Sequence, residues 1–346
     1  MSASDRSMLD VHAAAVEEKI ACYHEFLTRY SKTKPVIYGF VEGKTDPAFY
    51  RGFIEHSLPD GWEVVPLVKV GADLEREARA YLGTLRRLAP DAQPIVVGQP
   101  NNRVTLRYLD RERRTETLTG GVPGWSWLGL KPLLSGLDAL YVNLMSGWEL
   151  DLETALLMRQ HLRVPVYADL HSLLLGVNAD GLRTPRPLAP AEVAGWCRCF
   201  DFVQVNEDEM ALMASDPMAL AATAMANGVS ALTVTLGARG AVFVAAPGFD
   251  ALADLCADLR RDVSLTAASR GAVRTALIPA HAVLDNGDLD PTGCGDVWGA
   301  TYFSRLLAGD RIVTSMQAAH VAAARNVRHR GATGLAHHLR GELSRP

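Results

Sequence analysis

The sequence predicts an α/β fold in which a mostly parallel central sheet lies between two layers of helices. Three observations point there. Short apolar runs read as buried strands: DALYVNL (138–144), VPVYADLH (164–171), FDFVQVN (200–206), ALTVTLG (231–237) and GAVFVAA (240–246). Helical stretches separate most of them, and continuous apolar strands alternating with helices require a parallel sheet covered on both faces. The chain has 346 residues, enough for one large α/β domain or two modest ones.

In order along the chain, residues 8–31 read as an amphipathic helix and KPVIYGFVEG (34–43) as a strand. WEVVPLVKVG (62–71) is strand-like and DLEREARAYLGTLRRL (73–88) is helical. QPIVVGQ (93–99), RVTLRYLD (103–110) and RTETLTG (114–120) are short β-type pieces. After the strand at 138–144, Ser146 and Glu149 have the spacing of a capping box, in which each side chain satisfies a backbone N–H at a helix start. No repeat, low-complexity tract or linker interrupts the pattern after residue 62. The expected division is an atypical helix-and-strand segment over residues 1–60 and a main domain over 61–346.

Composition narrows the function. Hydrophobic residues make up 48% and charged residues 21%, ordinary values for a soluble globular chain. A net charge of −4 gives no sign of a nucleic-acid or anionic-membrane partner. No apolar run has the length of a membrane span, and the acidic N-terminus lacks the apolar centre of a signal peptide. Five cysteines, Cys22, Cys197, Cys199, Cys256 and Cys294, form neither an even set nor a C-x2-C pair, which argues against a disulfide framework or zinc site. These features together place the protein in the cytoplasm.

The chemistry concentrates in LDPTGCGDVWGATYF (289–303). In such folds ligands sit beyond the carboxyl ends of strands, where helices begin. A helix N-terminus offers unpaired N–H groups and the positive end of its dipole to an anion. Gly293 and Gly295 let the backbone bend and approach a ligand, so the N–H groups of Gly293, Cys294, Gly295 and Asp296 form a cup suited to a transferring phosphoryl group. Asp296 at its lip is placed to take a proton from a hydroxyl. The same residues also fit a glycine-rich turn with Asp296 capping a helix.

TGCGD, preceded by Asp290, resembles the C-terminal signature of the ribokinase-like, or PfkB, family of carbohydrate and nucleoside kinases, roughly D-T-x-G-A-G-D. Here Pro291 separates Asp290 from Thr292, and Cys294 replaces the usual alanine. Two further stretches follow the family order. VNEDEM (205–210) resembles its N-x-x-E motif, which implies that Asn206 and Glu209 hold the water shell of Mg²⁺ beside the nucleotide; that spacing equally fits a capping box. VTLGARGAVF (234–243) resembles its T-L-G-x-x-G turn, which implies that Thr235, Gly237 and Gly240 lie along the nucleotide; a plain hairpin turn is the alternative.

Softer likenesses join these. VGAD (70–73) resembles the family's V-G-x-D. YADLHS (167–172) resembles its acid-bearing strand end, which implies Asp169 near the phosphates, a helix or turn cap being the alternative. Residues 103–118 resemble the small β lid over the sugar, although their alternating charges suit any exposed hairpin. His171 and the pair His337–His338 show no ligand spacing, and Trp125, Trp127 and Trp148 read as core or rim residues.

The resemblance spans about residues 61–340 and breaks at the N-terminus, where the family's G-G dipeptide and sugar-gripping asparagine are missing. Instead VEGKTD, with Glu42, resembles the first motif of TOPRIM-type nucleases. The later D-x-D which that module needs is represented only by Asp288 and Asp290, inside the kinase signature, so the TOPRIM site is incomplete. Strand 35–41 takes the place of the kinase's first strand on this reading, with Asp46 standing in for its sugar-binding acid.

The resemblance implies a ribokinase-like α/β/α sandwich and an ATP- and Mg²⁺-dependent kinase acting on an alcohol of a sugar, nucleoside or similar small molecule. Asp296 would be the base and residues 293–296 the anion hole. The missing clamp leaves a nucleotide- or sugar-binding protein without turnover as the alternative. An unpaired sheet edge near residues 1–60 would favour a homodimer.

Overall fold

The computed structural model describes residues 36–40, 61–83, 87–89, 92–108, 114–162, 164–254, 272–283, 289–329 and 338. The helix expected over 8–31 and the roles suggested for Glu42, Asp46 and Asp288 lie outside them.

One eight-stranded sheet organises the molecule. Its strands are β1 (Val36–Phe40), β2 (Glu63–Leu67), β7 (Ala139–Asn143), β8 (Val166–Asp169), β11 (Phe202–Asn206), β12 (Ala231–Thr235), β13 (Ala241–Ala245) and β14 (Arg274–Ile278), numbered among four shorter pairing strands and two lid strands given below. Across the sheet the order is β14-β13-β12-β11-β8-β7-β1-β2. From β2 to β12 every pairing is parallel, while β13 runs against β12 and β14 against β13. The α/β layering with a mostly parallel central sheet is therefore as the sequence predicts. β1 belongs to the segment set apart in the sequence, yet it lies inside the sheet between β2 and β7.

Alternate residues of the strands feed two cores. Leu140, Val142, Val166, Ala168, Val203 and Val205 face one side. There they meet helices α3 (Leu152–His161), α4 (Pro190–Cys199) and α6 (Pro217–Ala226) through Met158, Trp196 and Leu220. Ala139, Tyr141, Tyr167, Phe202 and Phe243 face the other, against α7 (Cys294–Leu307) and α8 (Ile312–Asn326). Burying each such large apolar side chain contributes roughly 1.5–3 kcal/mol. Val297 to Ser304 of α7 are buried without interruption, because that helix is held between the sheet and α8. Its N-terminus is thereby fixed over the strand ends.

The remaining elements are α1 (Glu75–Leu82), α2 (Trp127–Leu130), α5 (Glu207–Met213) and three small sheets. β3 (Lys69–Gly71) pairs in parallel with β4 (Ile95–Val97). β5 (Arg103–Tyr108) and β6 (Arg114–Thr119) make an antiparallel hairpin where a lid was expected. β9 (Leu175–Val177) and β10 (Arg183–Pro185) make another. The hairpins touch through the Thr117–Leu182 bridge.

Three expectations need correction. The strand expected over 62–71 divides at Val68, whose carbonyl accepts from Ile95 N at 2.8 Å as the chain leaves the main sheet for β4. The helix expected over 73–88 ends at Leu82, and 87–89 run beside Val64 instead. Ser146 and Glu149 do not start a helix. The buried Glu149 carboxylate accepts from the N–H groups of Ser146 and Gly147 and ties a turn, and α3 begins later, where Asp151 Oδ1 accepts from Thr154 N at 2.6 Å.

The buried pair Arg159–Asp201 locks the back of the sheet. Arg159 Nη1 stands 3.0 Å from Asp201 Oδ2, which also accepts from Val166 N at 2.8 Å. Arg159 further donates to the carbonyls of Leu162 and Val164, so the end of α3 is tied to the entries of β8 and β11. Among the described residues no helix is long and apolar enough to cross a membrane.

Candidate active site

Parallel strands bring a polar row to one end of the sheet. The register pairs Asn143 of β7 with Asp169 of β8, and Asp169 with Gln204 of β11. Two residues further on, Asn206 pairs with Thr235 of β12. Each polar residue follows an apolar run, so burial of the run carries the polar end to the rim where α7 begins.

Asp296 lies in the first turn of α7 and meets this row. Asn143 Nδ2 donates to Asp296 Oδ1 at 2.8 Å. Gln204 Nε2 donates to Asp169 Oδ2 at 2.7 Å and reaches the Gly295 carbonyl at 3.3 Å. Tyr167 OH donates to Gln204 Oε1, which orients the amide. The sequence reading missed Asn143 and Gln204. Their only signal is a polar residue interrupting an apolar strand, in YVNL and FVQVN.

The turn before α7 is built from its own residues. Gly293 caps the helix with φ 75°, a left-handed conformation that glycine adopts without a Cβ clash. Thr292 N donates to Asp290 Oδ1 at 3.0 Å, and Asp290 N to the Val327 carbonyl at 2.8 Å. Asn326 Nδ2 donates to the Thr292 carbonyl at 3.0 Å and lies 3.2 Å from Cys294 Sγ, joining the turn to α8. Burial pushes the Cys294 thiol up to about 11, so it is a packing group at neutral pH. Of the expected cup donors, Cys294 N is committed to the Pro291 carbonyl at 3.1 Å. Gly295 behaves differently. A Cβ built there would meet nothing nearer than Gln204 Nε2 at 4.0 Å, so the glycine leaves open space over the first turn.

Asn206 and Glu209 form both halves of a capping box on α5. Asn206 Oδ1 accepts from Glu209 N at 2.9 Å, and Glu209 Oε2 accepts from Asn206 N at 2.7 Å. Glu209 Oε1 also meets Asn206 Nδ2 and His171 Nδ1, both at 2.6 Å. Burial lowers the His171 proton affinity, but the Glu209 carboxylate and its hydrogen bond outweigh that, with Asp169 and Asp296 adding, and hold it at about 9. His171 is therefore cationic at neutral pH.

Burial first, then the Glu209 and Asp296 charges, push Asp169 up to about 8, against the opposing pull of His171. Among the described residues no group of three or more His, Cys, Asp and Glu side chains has metal-holding geometry.

Thr235, Gly237 and Gly240 stand farther along the same rim. Thr235 Oγ1 reaches the Val205 carbonyl at 3.5 Å. Gly237 and Gly240 frame the turn between β12 and β13, which an Arg239–Glu207 ion pair ties to the start of α5. At Gly240, with φ 109°, a Cβ would fall 2.1 Å from the Ile278 carbonyl, so this glycine has a packing role whatever lies over the turn.

VGAD spans the end of β3 and the turn that follows it. Asp73 Oδ1 accepts from Asn101 N at 2.7 Å and Oδ2 meets Arg103 Nη2 at 2.5 Å. The Asn101 backbone donor and then Arg103 hold Asp73 below the ordinary carboxylate range. Asn102 Nδ2 donates to Ser146 Oγ at 3.0 Å, joining the base of the β5–β6 hairpin to the loop after β7. Trp125 is buried, Trp127 partly buried and Trp148 exposed at 38%, as core and rim residues would be.

This architecture has known counterparts. Residues 179–338 match the family model described as pfkB family carbohydrate kinase. The fold is similar to ribokinase from Thermotoga maritima, with a TM-score of 0.58 and 15% identity over 89% of this chain and 98% of that one. It is similar to a Burkholderia thailandensis nucleoside kinase in complex with inosine, at 0.59 and 15% over 87% and 94%. It is also similar to an Arabidopsis thaliana ribokinase complexed with ribose and ATP, at 0.57 and 13% over 89% and 99%. No curated protein matches the chain in sequence.

Proposed function

We propose that this chain, a ribokinase fold whose residues 179–338 carry a PfkB-family domain, transfers the terminal phosphoryl group of ATP to an alcohol group of a small sugar, nucleoside or related molecule. The observation that carries the reading is the placement of Asp296 beside the open space at Gly295, in the first turn of α7. An anion seated there meets the positive end of a buried helix, and the carboxylate stands next to it.

Asp296 accepts the proton of the attacking hydroxyl. The Gly293–Asp296 backbone, less the Cys294 N–H already bonded, stabilises charge on the transferred group. The nucleotide runs from there along the rim past Asn206 toward Thr235, Gly237 and Gly240. Asp169, between them, keeps its proton over part of the neutral range and so limits repulsion of phosphate.

The oxygen donors at the strand ends suit Mg²⁺, which neutralises phosphate charge when bound. Both Glu209 oxygens are engaged, so Glu209 and Asn206 hold its water shell rather than ligate it. The acceptor occupies the side of the rim toward the lid, above Asn102 and Ser146.

ADP release from ATP–Mg²⁺ against D-ribose, D-fructose, inosine, adenosine and myo-inositol tests the reading, with Asp296→Asn as control. Turnover on one acceptor, reduced about 10²–10⁴-fold in the variant while ATP still binds, is the expected result. Equal turnover in the two proteins overturns it. The absent sugar-gripping motif favours a second reading, a binding protein without turnover, and ATP binding with no ADP release on any acceptor would select it.

A further inference from the structure

Asn143 closes β7 and is almost fully buried, 153 positions away in sequence from the aspartate it touches. We propose that Asn143 is a positioning residue for Asp296, whose amide fixes the rotation of the carboxylate and favours its ionised, proton-accepting form. The inference deepens the reading of Asp296 as the base and rests on it.

The geometry leaves the amide little choice. A carboxylate accepts and does not donate, so the group 2.8 Å from Asp296 Oδ1 is the Asn143 nitrogen; turning the amide over would set two oxygens against each other. A hydrogen bond donated to the charged form of an acid favours that form. The groups facing Asp296 otherwise push the opposite way. Asp169 from β8 is an acid that interacts with Asp296; Glu209 from α5 stands against Asp169, and Asp290 from the turn acts on Cys294. Cys294 and Tyr167 are neutral neighbours, and His171 is the cation among them. In an acidic cluster at one sheet end, a neutral buried donor selects which acid carries charge. Gln204 also donates to Asp169, but there burial outweighs the donor and keeps the proton on to about 8.

Position supports a role at the reacting end. Asn143 stands in the row with Asp169 and Gln204 at the strand ends, and the loop that follows it carries Ser146, the partner of Asn102 below the lid. One residue thus joins the base on α7 to the wall on the acceptor side.

The test uses the full chain without ligand. The Asp296 carboxyl is titrated by ¹³C NMR, its signal identified by its loss in Asp296→Asn. Asn143→Leu keeps the shape and removes the donor. The expected result is a midpoint raised by about one pH unit or more. Asn143→Asp, which places a second acid against the first, raises it further because the two share a proton. Should the leucine variant fail to fold, Asn143→Ser, whose hydroxyl is too short to bridge the gap, carries the same expectation. A midpoint equal to that of wild type in the folded variant overturns the inference.

ADP release then separates the two claims. With Asn143→Asp, kcat is expected to fall at pH 7 and recover toward higher pH, with ATP affinity unchanged. A dead Asp296→Asn with an unshifted Asn143→Asp profile sinks the role of Asn143 alone. An active Asp296→Asn sinks the reading of Asp296 as base.

Discussion

His171 Nδ1 meets Glu209 Oε1 at 2.6 Å, and this pair gives the end of the sheet a pH response. His171 is held at about 9 against an ordinary 6.5, so its stabilisation is fully present below pH 6.5 and is lost as pH rises through 9. Asp169 is held at about 8 against 3.8, so ionising it opposes folding progressively across that interval. Both slopes have the same sign. The urea midpoint is expected to fall between pH 6.5 and 9, and Glu209→Gln to flatten part of that fall. A midpoint that rises over this range contradicts the assignment.

Gly295→Ala separates binding from stability. Beyond its own helical turn the new Cβ has no protein atom closer than 4.0 Å, so the melting temperature should stay within a few degrees of wild type. The methyl group would occupy the space assigned to phosphate, and calorimetric titration should show ATP affinity reduced about tenfold or more, roughly 1.4 kcal/mol. Undiminished ATP binding would place the nucleotide elsewhere.

Gly240→Ala should act in the reverse way. Its Cβ meets the Ile278 carbonyl at 2.1 Å and its φ of 109° disfavours any side chain, so a loss of about 1–3 kcal/mol is expected by denaturant unfolding. A variant as stable as wild type would show that the turn can shift away from the chain at 278–280.

Gln204→Leu removes the donor that faces Asp169 and the Gly295 carbonyl. Losing a buried partner of this kind costs about 1–3 kcal/mol, and the Asp169 proton affinity should rise further. Carboxyl NMR together with urea unfolding reads both effects; unchanged values in both would remove Gln204 from the site.

Arg159→Met should be the most destabilising of these changes, by about 3–5 kcal/mol, because it strands the Asp201 carboxylate in the core. Arg159→Lys keeps the charge but loses the fork that also reaches two carbonyls, so it should fall between the two. Thermal unfolding of the three proteins gives the order.

The apolar runs at 138–144, 164–171, 200–206 and 231–237 made the parallel sheet legible, because a strand buried on both faces writes its burial into consecutive residues. β14 was not legible: four of its five residues are exposed, and no apolar run marks it. Gly293 and Asp296 could be read because a helix start beside a glycine is local chemistry. Asn143 and Gln204 could not, because their meaning comes from pairings between distant strands. The error at Ser146 and Glu149 has the same root. The spacing was right and the hydrogen bond forms, but a buried carboxylate can tie a turn as well as begin a helix.

β1 has a consequence for how the chain comes into being. It is the first described strand to leave the ribosome, and it ends up flanked by β2, made soon after, and β7, made only after the lid hairpin has been synthesised. Until β7 arrives, one side of β1 has no mate, and the polar row that begins with Asn143 does not yet exist. Assembly of this polar rim is therefore a late event that waits on contacts of long sequence separation, which slow folding. A nascent chain paused before residue 139 would hold an early strand with one side open to pairing with other chains.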